Sequence, residues 1–376
     1  MPSLSSLQSL LDHVGDSFDR TKFAIRQKLN RVRPVIIVPY RGFGNHQSVT
    51  IRGRVLEDTG LIKPTPEDTV WQNIIASVKR IGTLEIPFVR VEAEFQGRTH
   101  QVETDGEGYF SISLPVNASQ LDTTTQWHSV ELRLLDVVVE EQEEVTATGE
   151  VLIPNASVDF GVISDIDDTV LVSDVSRFLS MIRLALLENA TSRLPFPGAG
   201  AFYRALQAGP DGQSHNPFFF VSSSPWNLYD LLTDFFTLHR IPKAPLMLRD
   251  LGLSESMFSK SGHGQHKLSH IRTILNTYPS LDFVLIGDSS QHDPEIYQQA
   301  VKEYPGRIRA IYIRDVTPDQ RDITVVSLRD KLREQGVDLV YCEHTEDAAQ
   351  HAQANNLLSA DRLPDIHQEK EQDLST

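Results

Sequence analysis

The chain has 376 residues, 40% hydrophobic and 23% charged, the balance of a soluble globular protein with enough length for two buried cores. A formal net charge of −16 excludes a general nucleic-acid binder, which needs a basic face, and a single cysteine excludes internal disulfides and multi-cysteine metal sites. No apolar run approaches the roughly 20 residues of a membrane span, and no signal peptide is evident, so a cytoplasmic protein is expected. In chain order, residues 1–33 come first. Leu4, Leu7, Leu11, Val14, Phe18, Ile25, Leu29 and Val32 recur mostly at three- or four-residue steps and predict an amphipathic helix. Its second half holds Arg20, Lys22, Arg26, Lys28, Arg31 and Arg33 with no acid among them. Such a helix can rest peripherally on an anionic lipid surface or pack on the protein's own acidic body; the sequence leaves both readings open.

Residues 34–156 change to short alternating strands, among them Val35–Val38, Val49–Val55, Phe88–Phe95, Tyr109–Leu114 and Val130–Leu134, with turn signals at Gln96-Gly97 and Asp105–Gly108. This spacing predicts an antiparallel β-sandwich, interrupted by a helix over residues 64–82 through Val70, Ile74, Ile75 and Val78. The stretch Thr104–Phe110 resembles the turn of transthyretin-like sandwiches. No catalytic cluster stands out here.

Residues 157–344 carry the chemistry. Val158–Ser164 reads as an apolar strand that ends in Asp165-Ile166-Asp167. Two carboxylates two positions apart leave a strand on the same side. At the carboxyl edge of an open α/β sheet, one can attack while the other manages a proton, given a cation to offset their repulsion. An acidic turn is the alternative. A calcium loop fails, because Gly is missing at its sixth position and Ser176 stands where Glu is needed at the twelfth. Next, Phe218–Val221 predicts a second buried strand ending at Ser222-Ser223-Ser224-Pro225, where a hydroxyl and free N–H groups suit a phosphoryl oxygen, although Ser-Pro is also an ordinary helix start. Lys267 precedes the amphipathic series Ile271, Ile274, Leu275, and a lysine there opposes the helix dipole. Finally, Phe283–Ile286 predicts a strand whose end delivers Asp288 and Asp293, hard oxygen ligands suited to magnesium.

In that order these four motifs resemble the haloacid-dehalogenase-like phosphatases, over roughly residues 157–320. The resemblance implies a doubly wound α/β domain in which Asp165 is the nucleophile and Asp167 the general acid and base. It further implies that Ser222 and Lys267 hold the phosphoryl oxygens, with Mg2+ bound by Asp165, Asp167, Asp288 and Asp293. An acid two residues after the nucleophile marks the phosphate-releasing members. Leu194–Leu206, Val221–Trp226 and Val38–Gly44 narrow the likeness to the actin-patch-protein type of phosphatidate phosphatase, over roughly residues 34–340. That likeness implies removal of phosphate from phosphatidate or a related lipid phosphate. Fungal members carry a Pro-rich tail that this sequence does not show, so their actin connection is not expected to carry over.

Val175, Phe178, Leu179, Ile182 and Leu186 predict a helix between the first two motifs, and neither insert leaves room for more than a minimal cap. Residues 345–376 turn polar; a short helix over 345–357 and a disordered final dozen are expected. The whole is a multidomain α and β chain. Its favoured reading is a magnesium-dependent phosphatase working through an aspartyl-phosphate on a lipid phosphate at a membrane surface. The rivals are a phosphatase for proteins or soluble phosphomonoesters, and an interaction protein that uses its β-sandwich.

Overall fold

A computed structural model describes residues 33–58, 84–166, 197–249, 263–289, 292–315 and 322–375. The helices expected within residues 1–32 and 64–82, the helical insert through Val175–Leu186, and Asp167 lie outside the described residues. What is described falls into two compact units, divided between Asn155 and Ala156.

The first unit holds strands β1 (Val35–Gly44), β2 (Ser48–Glu57), β3 (Arg90–Phe95), β4 (Arg98–Glu103), β5 (Tyr109–Pro115), β6 (Trp127–Leu134) and β7 (Thr146–Leu152). They hydrogen-bond in the order β4-β3-β6-β7-β1-β2-β5. Alternation of buried and exposed residues, as in β5 and β6, sends one face of each strand inward. Val49, Ile51, Ile112 and Leu114 from one side and Val91, Ala93, Val130 and Leu132 from the other share one core. Strand β5 packs back on β3 and β4, so the sheet folds over itself. The purely antiparallel sandwich is corrected on one point: β1 and β7 pair in parallel, at Gly42–Val151 and Phe43–Leu152. The cause is local. A register shift in β1 between Tyr40 and Phe43 re-aims the strand end, letting β1 pair with β2 along its length and join β7 at its tip.

The second unit is a six-stranded, wholly parallel sheet. In chain order it comprises β8 (Gly161–Asp165), α1 (Ala199–Ala208), β9 (Phe218–Pro225), α2 (Tyr229–Leu238), β10 (Leu246–Arg249) and α3 (His263–Thr277). There follow β11 (Phe283–Asp288), α4 (Asp293–Glu303), β12 (Ile308–Arg314), α5 (Asp322–Arg333), β13 (Asp338–Cys342), α6 (Thr345–Ala354) and α7 (Leu363–Ser375). The sheet order β10-β9-β8-β11-β12-β13 reverses direction between β8 and β11. Its strands are apolar runs rather than alternating ones because helices cover both faces. Phe218 and Phe220 meet Tyr203 of α1, whereas Phe219 between them meets Tyr278 beyond α3.

Of the final dozen residues, expected to be disordered, those described instead complete α7. Polar contacts hold it where composition gives no reason to expect order. Asp373 accepts from the Gly198 N–H at 2.7 Å, Glu369 accepts from the Ala201 N–H at 2.6 Å and from Arg204, and Lys370 pairs with Glu346. Ile366 is its one fully buried side chain.

Candidate active site

In open parallel sheets the backbone turns away on either side of the point where strand order reverses, leaving a crevice at the carboxyl edge. Asp165 ends β8 and Asp288 ends β11, so both stand at that point. Register fixes their levels. Ser164 pairs with Ile286, which puts Asp288 one step beyond Asp165, and Val221 of β9 pairs with Asp165, which puts Ser222 one step beyond on the other side.

Asp293 reaches the same place from the first turn of α4, and Lys267 reaches it from α3. The ammonium of Lys267 lies 2.8 Å from Asp165 Oδ1 and 3.0 Å from Asp293 Oδ1, and all three side chains are at most 3% exposed. The other oxygen of Asp293, Oδ2, accepts the Asp288 N–H at 3.3 Å. Burial pushes the Asp293 carboxyl upward, Lys267 opposes that, and the Asp288 charge adds to it. The structure therefore brings four of the six expected site residues together: Asp165, Lys267, Asp288 and Asp293. Ser222 is buried on the adjacent strand, its hydroxyl accepting the Ser224 N–H at 2.9 Å. Asp167 falls outside the described residues.

Oxygen atoms of Asp165, Asp288 and Asp293 lie within 4.8 Å of one another. Among the described residues, three carboxylates face one ammonium here, an acidic excess on largely buried side chains. Hard oxygens at this spacing with that excess fit a divalent cation such as magnesium.

Three supporting residues escaped the sequence reading. Tyr297 donates to the Ile286 carbonyl at 2.7 Å, and burial, followed by Asp293, raises its phenol well above the usual value. It follows Asp293 by one helical turn, a spacing that could have signalled it. Tyr203 shares a 2.9 Å hydrogen bond with Ser164, a polar residue inside an otherwise apolar strand. Gly287 is the third. A Cβ there would stand 2.6 Å from Asp293 Oδ2 and 3.0 Å from the Tyr297 ring, so only glycine lets the acid approach the strand.

Residues 160–315 match the family model described as the catalytic domain of phosphatidate phosphatase APP1. Phosphatidate phosphatase APP1 of Saccharomyces cerevisiae is 32% identical over 166 residues, which are 43% of this chain and 27% of that protein. An uncharacterized protein of Schizosaccharomyces pombe is 29% identical over 287 residues, 74% of this chain and 46% of its own. The chain thus spans less than half the length of these curated relatives. Among solved structures, a carbohydrate acetylesterase from Xanthomonas citri aligns at 12% identity and a TM-score of 0.25, over 72% of this chain and 66% of its own, too low to support a fold assignment. Among the described residues, no helix is long and apolar enough to cross a membrane.

Proposed function

We propose that this chain, whose residues 160–315 belong to the phosphatidate phosphatase APP1 family, is a magnesium-dependent phosphoric monoester hydrolase of the haloacid-dehalogenase-like kind acting on phosphatidate or a related lipid phosphate. The observation that carries the reading is the buried group of Asp165, Lys267, Asp288 and Asp293 at the reversal point of the parallel sheet.

Asp165 is the nucleophile. One of its carboxylate oxygens forms a bond to phosphorus as the bond from phosphorus to the ester oxygen breaks, giving an aspartyl-phosphate. The leaving alkoxide takes a proton from Asp167 and departs as the alcohol, diacylglycerol in the case of phosphatidate. Asp167 then removes a proton from water, whose oxygen attacks phosphorus, releasing inorganic phosphate and restoring the Asp165 carboxylate. Lys267 fixes the direction of the Asp165 carboxylate and presents positive charge where the phosphoryl oxygens gather, with Ser222 as a further donor. Asp165, Asp167, Asp288 and Asp293 would hold magnesium, which when bound would supply charge neutralisation for an anionic substrate entering an anionic site.

The test is phosphate release from phosphatidate in mixed micelles, beside soluble phosphomonoesters. Wild-type protein should turn over only with magnesium, lose activity in EDTA and regain it on readdition. Asp165→Asn should lose at least about a thousandfold, because an amide cannot attack phosphorus, while keeping its fold. Substantial turnover by that variant would remove the nucleophile assignment. Preference for soluble esters would move the substrate to the rival class.

A further inference from the structure

The nucleophile sits at a strand end, where ladder pairing runs out on one side first. Strand β8 pairs with β9 as far as Asp165 but with β11 only as far as Ser164. A catalytic carboxylate there needs another restraint on its backbone, because a small rotation of the terminal peptide swings the side chain away from its target.

We infer that Tyr203 and Ser164 are positioning residues for Asp165, joined in a directed hydrogen-bond chain from the Tyr203 phenol to the Ser164 hydroxyl to the Asp165 carbonyl. The Ser164 hydroxyl donates to the Asp165 carbonyl oxygen at 3.1 Å and lies 2.9 Å from the Tyr203 oxygen. A serine has one hydroxyl proton. With that proton on the Asp165 carbonyl, Tyr203 must be the donor at the other contact. Burial pushes the phenol up to about 12, so the donor proton is in place throughout the neutral range. Ser164 is fully buried, and both residues stay within the described part of the site.

The chain has a rigid origin. The Tyr203 ring packs on Phe218 at 5.6 Å and on Phe220 at 6.1 Å, both in the strand beside the nucleophile. Tyr203 lies in α1, whose first turn is tied to α7 through Glu369 and Asp373. Its hydroxyl is therefore held by a strand neighbour and a braced helix. Phenylalanine at 203 would keep the ring and remove only the directing bond.

This inference rests on the hydrolase reading, and it is tested by Tyr203→Phe, Ser164→Ala and the double variant, beside wild type and Asp165→Asn. Measured for each are kcat and KM for phosphate release, thermal midpoint, and binding of beryllofluoride with magnesium by calorimetry, as a mimic of the phosphorylated aspartate. Each single variant should lower kcat roughly tenfold with KM nearly unchanged, and weaken beryllofluoride to a similar degree. Ser164→Ala strands a buried phenol and should lower the midpoint, whereas the double variant, apolar on both sides, should recover it. The decisive point is that kcat in the double variant stays low while stability returns, and is no worse than in the poorer single. If kcat recovers together with the midpoint, or the two single losses multiply, the residues are only structural. Singles at the wild-type rate, with Asp165→Asn inactive, sink the positioning chain alone. An inactive wild type that neither binds beryllofluoride nor differs from Asp165→Asn sinks the hydrolase reading, and this inference with it.

Discussion

Lys267 is the residue on which the electrostatics of the site turn, since it meets both Asp165 and Asp293 within 3.0 Å. Removing one partner of a buried ion pair leaves an uncompensated charge, at a cost of about 3–5 kcal/mol. Here two carboxylates would be left. Lys267→Met should therefore destabilise the protein by about that amount in EDTA, and by clearly less in magnesium, where a divalent cation replaces the lost charge. Denaturant unfolding in the two buffers gives the comparison, and equal losses in both would show that Lys267 does not balance a cation site. Cys342 illustrates the opposite case, a buried group whose burial, with the Asp347 charge, outweighs the favourable charge of Arg314. Burial raises its thiol to about 12 from 9.0. The unfolded chain thus loses this proton first, so the contribution to stability is full below about pH 9 and declines as pH rises toward about 12. Native protein at pH 8 should react with a disulfide reagent only slowly, then yield one thiol on unfolding. Rapid reaction in the native state would contradict the burial of the strand cysteine.

Among the elements, α1 depends on a distant part of the chain. Its N-cap is Gly198, at φ 81°, which offers no capping side chain, and the role passes to carboxylates of α7. Replacing Glu369 and Asp373 by Gln and Asn keeps size but removes the charges that face the positive end of the helix dipole. The expected loss is about 1–3 kcal/mol, read as a lower thermal midpoint and as faster hydrogen exchange at the first amides of α1. Unchanged exchange there would mean that α7 does not cap α1. This arrangement also shows why α7 was not legible in the sequence. One buried apolar residue, Ile366, gives no periodic stripe, and what orders the helix is complementarity to N–H groups at positions 198 and 201. The catalytic strands were legible for the converse reason: Phe218–Val221 and Phe283–Ile286 are buried on both faces and must be apolar throughout. Asp165, Asp288, Asp293 and Lys267 stood out because acids and a lysine directly follow such runs or helix starts. Tyr203 and Ser164 did not, since their roles arise from a through-space bond across 39 residues. The β1–β7 parallel pair was hidden too, because a register shift leaves no mark in residue type.

For the whole molecule the dominant quantity is its charge. At −16 it opposes approach to an anionic bilayer, yet the proposed hydrolysis of a lipid phosphate would have to take place at one. Arg20, Lys22, Arg26, Lys28, Arg31 and Arg33 are a local exception in the sequence, six cations without an acid between them, along an amphipathic pattern. Each cation held near an anionic surface contributes on the order of 1 kcal/mol, within a Debye length of about 8 Å at physiological salt. On such a surface they would oppose the repulsion of the body at short range, where the proposed site would meet a headgroup, and the apolar residues of the pattern would add burial at the interface. Deleting residues 1–33 should accordingly weaken co-sedimentation with phosphatidate vesicles, as should raising salt for the full chain, while hydrolysis of a soluble short-chain phosphomonoester stays nearly constant. The deletion removes six positive charges and three negative ones, Asp12, Asp16 and Asp19, so the net charge goes from −16 to −19 and the truncated protein should be repelled more strongly by anionic vesicles and should respond less steeply to salt. Sedimentation that is indifferent to the deletion, or a truncated protein with a lowered thermal midpoint and impaired soluble activity, would assign the segment to packing against the acidic body instead.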